Sequence, residues 1–106
     1  VTGLAAAGDG GQFRLTGPAG FRQAAALLAA GERLFASAPA VTVDLTGVTA
    51  VDSATLALLL EWQRQGRKRG RPVAFANMPG RLAALAQLSG VAALLAETAA
   101  GKAAGA

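Results

Sequence analysis

The spacing of apolar residues changes along the chain, and each change marks an element. Phe13 and Leu15 alternate with Gln12, Arg14 and Thr16, the period of a half-buried strand. Val1 to Ala6 reads as an earlier strand, joined to it through the turn Gly8, Asp9, Gly10, Gly11, and Gly17-Pro18 is expected to end the hairpin. Between Ala19 and Ser37 the period becomes helical, with Phe21, Ala24, Ala25, Leu28, Leu34 and Phe35 at core spacing, an interruption at Gly31 and a stop at Pro39. Val41, Val43 and Leu45 restore alternation in a β-branched run, the central strand. A second helix is predicted from about Ala54 to Arg69, and its Leu56, Leu58, Leu59, Leu60 and Trp62 cover more than one stripe, which leaves leucine over for a partner. Pro72 to Ala76 is a further short strand. The third helix opens near Pro79, carries Leu82, Leu85 and Leu88, and ends at Gly90; Val91 to Glu97 adds one or two turns.

The resulting order, β-β-α-β-α-β-α, is that of an α/β domain: a mixed sheet of about four strands flanked by three or four helices. The chain's 106 residues suffice for one core. Residues 1–97 therefore read as a single domain, and 98–106, TAAGKAAGA, as a flexible low-complexity tail.

Between the central strand and the second helix, Thr46, Gly47, Thr49, Asp52 and Ser53 are turn and capping types, which puts the helix start at Asp52 or Ser53. Either side chain can accept from the free N–H groups of the first turn, a cap worth about 1 kcal/mol. Asp44, on the face opposite Val43 and Leu45, reads as a strand-end acid that bonds loop N–H groups, or else as a partner contact. Trp62 has two readings as well, completing the core or lying at an interface.

The stretch Val41 to Trp62, VTVDLTGVTAVDSATLALLLEW, resembles the signature of the STAS domain: a hydrophobic strand, then Asp-Ser or Asp-Thr, a small residue or two and a leucine helix. DSATLALLLEW is most similar to the MlaB-type cytoplasmic STAS subunit of Mla phospholipid-transport ABC systems, and the resemblance covers Gln12 to Leu95. It implies a STAS-like fold and a non-catalytic accessory subunit that binds the ATPase of an ABC transporter, and through it the permease. It also implies a cytoplasmic location, peripheral to the inner membrane through that complex. The partner-binding residues it implies are Thr49, Asp52, Ser53, Ala54, Thr55, Leu56 and Trp62, with Ser53 at the centre. The alternative within the same family is an anti-sigma factor antagonist, in which a partner kinase phosphorylates the position matching Ser53. Phosphate there would add about −1.5 to −2 charges at a helix end that tolerates an anion. Family members usually carry Gly where this chain has Thr55, a side chain expected to crowd the approach to Ser53 and so to favour the transporter subunit.

Composition narrows the chemistry. The chain has no Cys and no His, which excludes disulfides, thiolate chemistry, Cys/His zinc sites and His-based triads. The six acids, Asp9, Glu32, Asp44, Asp52, Glu61 and Glu97, lack the close pairing of two-carboxylate hydrolysis. Enzymatic activity, a metal and a cofactor are not expected. Formal charge is +4, and RQGRKRGR gathers Arg64, Arg67, Lys68, Arg69 and Arg71. That octet reads as a solvated helix C-terminus whose cations complement the dipole, with Gly70 as a left-handed cap. No aromatic residue interleaves with it, so nucleic-acid binding is not expected, while a contact with acidic lipid headgroups remains a second reading. The glycines near Asp9 lack the Lys-Ser/Thr of a phosphate-binding loop. No apolar run reaches the about 18 residues of a membrane span, and the chain is expected to be soluble, meeting a membrane only through its complex.

Overall fold

A computed structural model describes residues 1–8 and 10–95. Its elements are β1 (Gly3–Ala6), β2 (Gln12–Pro18), α1 (Ala24–Leu34), β3 (Val41–Ala50), α2 (Ser53–Lys68), β4 (Val73–Ala76) and α3 (Gly80–Leu88), followed by a helical turn over 92–95. The four strands form one mixed sheet in the order β1-β2-β3-β4, antiparallel between β1 and β2 and parallel elsewhere. α1 and α2 each join neighbouring parallel strands, and right-handed crossovers that step the same way along a sheet lie on the same face.

Alternation in the strands makes that face apolar. Phe13, Leu15, Val41, Val43, Leu45, Val73 and Phe75 form one cluster with Leu27, Phe35, Leu56, Leu59, Trp62 and Leu82 from the helices. Arg14, Thr16, Thr42 and Asp44 alternate with them and lie on the opposite face, none of them fully buried. α2 contacts α1, α3 and β4, which explains its leucines: Leu56, Leu58, Leu59 and Trp62 are all buried, and Leu60 packs partly against the same core. The leucine in excess of one stripe is thus used inside the domain and leaves no second apolar face for a partner.

Gly31 sets how closely α1 approaches α2. A Cβ there would lie 2.2 Å from Trp62 Nε1 and 2.9 Å from the Phe35 ring. The absence of that atom lets the indole lie against the α1 backbone, and Phe13, Phe35 and Trp62 make two successive edge-on contacts, with centroids 4.9 and 5.3 Å apart.

The observed boundaries differ from the periodicity in three places. α1 begins at Ala24 rather than near Ala19, because the preceding residues are held in a loop, where Ala19 N–H donates to Ala50 O at 2.9 Å. Phe21, which falls on the helical stripe, is consequently 81% exposed. β2 continues through Gly17-Pro18, since a proline as last strand residue need not donate to the ladder. β3 runs on to Ala50, and its pairing with β2 shifts register after Arg14 and again after Gly17, which fits the turn-type residues 46–50 into the sheet as bulges. At the other end of α2, Gly70 has φ +70°, with Gly70 N–H donating to Arg67 O and Arg71 N–H to Gly66 O, the two hydrogen bonds of a Schellman cap. Glu97 and the tail expected over 98–106 lie outside the described residues. Among those described, no helix is long and apolar enough to cross a membrane.

Candidate functional site

The parallel strands β2, β3 and β4 all point the same way, so their C-terminal ends and the N-termini of α1, α2 and α3 share one end of the molecule. Asp52 organises that end. It is the N-cap of α2, and its Oδ1 accepts from Ala54 N–H at 2.8 Å and Thr55 N–H at 3.3 Å. Its Oδ2 accepts from Phe21 N–H at 2.9 Å, 31 positions earlier in the chain. The Phe21 N–H above all, followed by those of Thr55 and Ala54, holds the Asp52 carboxyl below the usual carboxylate range despite its partial burial. Close approach of the loop requires Gly20, where a Cβ would stand 2.7 Å from Oδ2.

Thr55 completes a capping box. Its Oγ1 accepts from Asp52 N–H at 3.0 Å and donates to Ala19 O at 2.7 Å, and the residue is fully buried. The expected crowding of Ser53 by Thr55 is therefore corrected: the side chain points inward and leaves the surface open. Leu56 and Trp62 are likewise buried, at 4% and 1% exposure, and present no area to a partner. The seven partner-binding residues expected from the sequence thus divide. Thr49 and Ser53 are exposed, Asp52 and Ala54 are half-buried, and Thr55, Leu56 and Trp62 belong to the core. Ser53 occupies the first helical position and Asp52, one residue earlier, supplies the cap.

Phe21 escaped the sequence reading, because its spacing matches the helical stripe so well. The signal that distinguishes it is Gly20 before it, a residue that breaks a helical start.

Asp44 lies in the sheet and accepts from Thr46 Oγ1 at 2.6 Å, Asn77 Nδ2 at 3.0 Å and Thr46 N–H at 2.9 Å, with Arg14 3.7 Å away. These bonds, the Thr46 hydroxyl first, lower its pKa to about 2. The strand-end expectation is corrected: because β3 runs on to Ala50, Asp44 lies within the strand, and its donors are Thr46 of the same strand and the Asn77 side chain rather than loop N–H groups. In the basic octet, Arg64 pairs with Glu61 at 2.6 Å, while Arg67, Lys68 and Arg69 are exposed around the Gly70 cap. Among the described residues, no three His, Cys, Asp or Glu gather as metal ligands.

A family model described as "Mlab, STAS domain" matches residues 2–96. No curated protein shows significant similarity to the chain. Among solved structures, the sulfate transporter family protein from Wolinella succinogenes is similar at TM-score 0.65 and 20% identity, over 80% of this chain and 70% of that one. The unphosphorylated anti-sigma factor antagonist SpoIIAA is similar at TM-score 0.65 and 13% identity, over 82% of each chain. The structure of Mglu is similar at TM-score 0.56 and 26% identity, over 74% of this chain and 20% of that one. The two likenesses below 25% identity establish a shared fold.

Proposed function

Since the chain belongs to the MlaB-type STAS domain family, we propose that it is a non-catalytic accessory subunit that binds the cytoplasmic ATPase of a phospholipid-transporting ABC system. In this reading it stands in the cytoplasm and meets the membrane through the ATPase and the permease. The observation that carries the proposal is the exposed Ser53 on a helix start fixed from both sides by Asp52 and Thr55. Such a site offers a partner a rigid, preorganised surface.

A second reading, a switch of the anti-sigma antagonist kind, draws on the likeness in fold to SpoIIAA and on the same Ser53 hydroxyl. One experiment separates the two: a mild-detergent pull-down of the tagged protein from its native cell extract, with co-purifying proteins identified by mass spectrometry and Ser53 checked for phosphate. Recovery of an ABC ATPase and permease with unmodified Ser53 supports the subunit. Recovery of a kinase-like anti-sigma factor with phosphorylated Ser53 replaces it with the switch.

A further inference from the structure

We infer that Phe21 is the anchor of the partner interface and that the Asp52 carboxylate is its positioning group, a proposal that rests on the transporter-subunit reading above. Phe21 is 81% exposed on a chain with only 5% aromatic residues. Among the described residues it is the one aromatic ring left in water, while Phe13, Phe35, Trp62 and Phe75 are buried, and aromatic side chains are the residues that most often anchor interfaces.

Its backbone is not loose. Phe21 N–H donates to Asp52 Oδ2 at 2.9 Å, Ala19 N–H donates to Ala50 O at 2.9 Å, and Thr55 Oγ1 donates to Ala19 O at 2.7 Å. The same carboxylate therefore fixes the start of α2, where Ser53 lies, and the loop that displays Phe21. Ring and hydroxyl are presented together with little ordering left to do on binding, which is where affinity is gained.

Charge indicates what the partner surface carries. None of the three helices has an acid in its first turn, although their N-termini converge at this end. Arg22 beside Phe21 and Arg81 at the start of α3 are exposed, and the Asp52 charge is shared among three N–H groups. Arg22 thus stands directly beside the apolar ring, and the helix N-termini add their positive ends on the same side of the molecule. The complementary surface on the ATPase subunit is an apolar pocket rimmed by carboxylates.

Asp52→Asn isolates the positioning role. Asparagine caps a helix as well as aspartate does, so Oδ1 keeps its bonds to Ala54 and Thr55. Its second atom is an NH2 donor, so Phe21 N–H loses its acceptor. The test is titration calorimetry against the ABC ATPase recovered with the wild-type protein, with thermal melts of every variant. Phe21→Ala is expected to weaken binding by about tenfold or more at unchanged melting temperature, and Phe21→Trp to restore it. Asp52→Asn is expected to weaken binding several-fold and to speed hydrogen exchange at the Phe21 amide.

Binding by Phe21→Ala within about twofold of wild type, well inside the hot-spot threshold, overturns the anchor and leaves the subunit reading standing. Dissolution of a wild-type homodimer by Phe21→Ala, at unchanged ATPase affinity, assigns the ring to a second copy and also overturns it. Failure of the wild-type protein to recover any ABC ATPase removes both the reading and the anchor.

Discussion

The Thr55 hydroxyl donates to the Ala19 carbonyl at 2.7 Å and accepts from the Asp52 N–H at 3.0 Å. One oxygen thus joins the start of α2 to the loop between β2 and α1, inside the core. Valine has nearly the shape of threonine but neither bond, so Thr55→Val leaves a buried carbonyl and a part-buried N–H without partners. The expected cost is about 1–3 kcal/mol. Urea unfolding monitored by Trp62 fluorescence checks it, and a change below about 0.5 kcal/mol, within the range of ordinary surface substitutions, would show that the hydroxyl is dispensable.

Gly31 is a second point where two elements meet too closely for a side chain. Alanine is the better helix former by about 1 kcal/mol, so propensity alone predicts that Gly31→Ala stabilises the domain. The new Cβ would sit 2.2 Å from Trp62 Nε1, and the indole is walled in by Phe35. Steric displacement should win, with a net loss of about 1–3 kcal/mol and a red-shifted Trp62 emission. A higher melting temperature would mean that α1 can slide away at little cost.

These two contacts also show what the sequence could and could not reveal. The strand faces of β2 and β3, the order of elements and the start of α2 follow from period and capping chemistry, which are local. Thr55 and Gly31 read locally as a surplus side chain and a helix interruption, and only the neighbours brought by folding, Ala19 and Trp62, give them a purpose. Phe21 shows the reverse. Its helical spacing places it in a core, yet the bond from its N–H to Asp52 pulls it out of the helix. The leucines of α2 looked like more than one face could use, because sequence does not show that α1, α3 and β4 all pack on that helix.

Asp44 and Asp52 give the domain an acid limb. Both carboxyls titrate below their usual value of 3.8 when folded, Asp44 at about 2 because of the Thr46 hydroxyl, Asn77 and the Thr46 N–H. A depressed folded pKa contributes stability above the unfolded pKa that is lost as pH falls through the folded one. Stability should therefore decline between about pH 4 and pH 2. Asp44→Ala should flatten that decline while lowering stability at neutral pH. Parallel slopes for the variant and the wild type, measured by urea unfolding across this range, would remove Asp44 from the account.

Gly70 holds φ +70° with open space where a Cβ would stand, so only backbone conformation opposes a substitution. Gly70→Ala should cost about 1 kcal/mol through the left-handed strain, and Gly70→Asn less. Because the cap lies at the opposite end of α2, about 24 Å from Ser53 for a 16-residue helix, neither change should alter partner affinity. Loss of binding in these variants would move the interface toward the basic octet.

Ser53→Glu tests the proposed surface most directly. The residue is exposed at the first position of α2, and no acid occupies the first turn. A carboxylate there gains from the helix dipole by about 0.3–1 kcal/mol, while the neighbouring Asp52 charge repels it, so stability should stay within about 1 kcal/mol of wild type. Binding should respond differently. If the ATPase surface is rimmed by acids, the added charge meets like charge at the centre of the contact, and affinity should fall most at low salt, where screening is weakest. Ser53→Ala carries no charge and should bind nearly as wild type does. An unfolded Ser53→Glu protein would make the position structural, and a folded one with wild-type affinity would place the interface elsewhere.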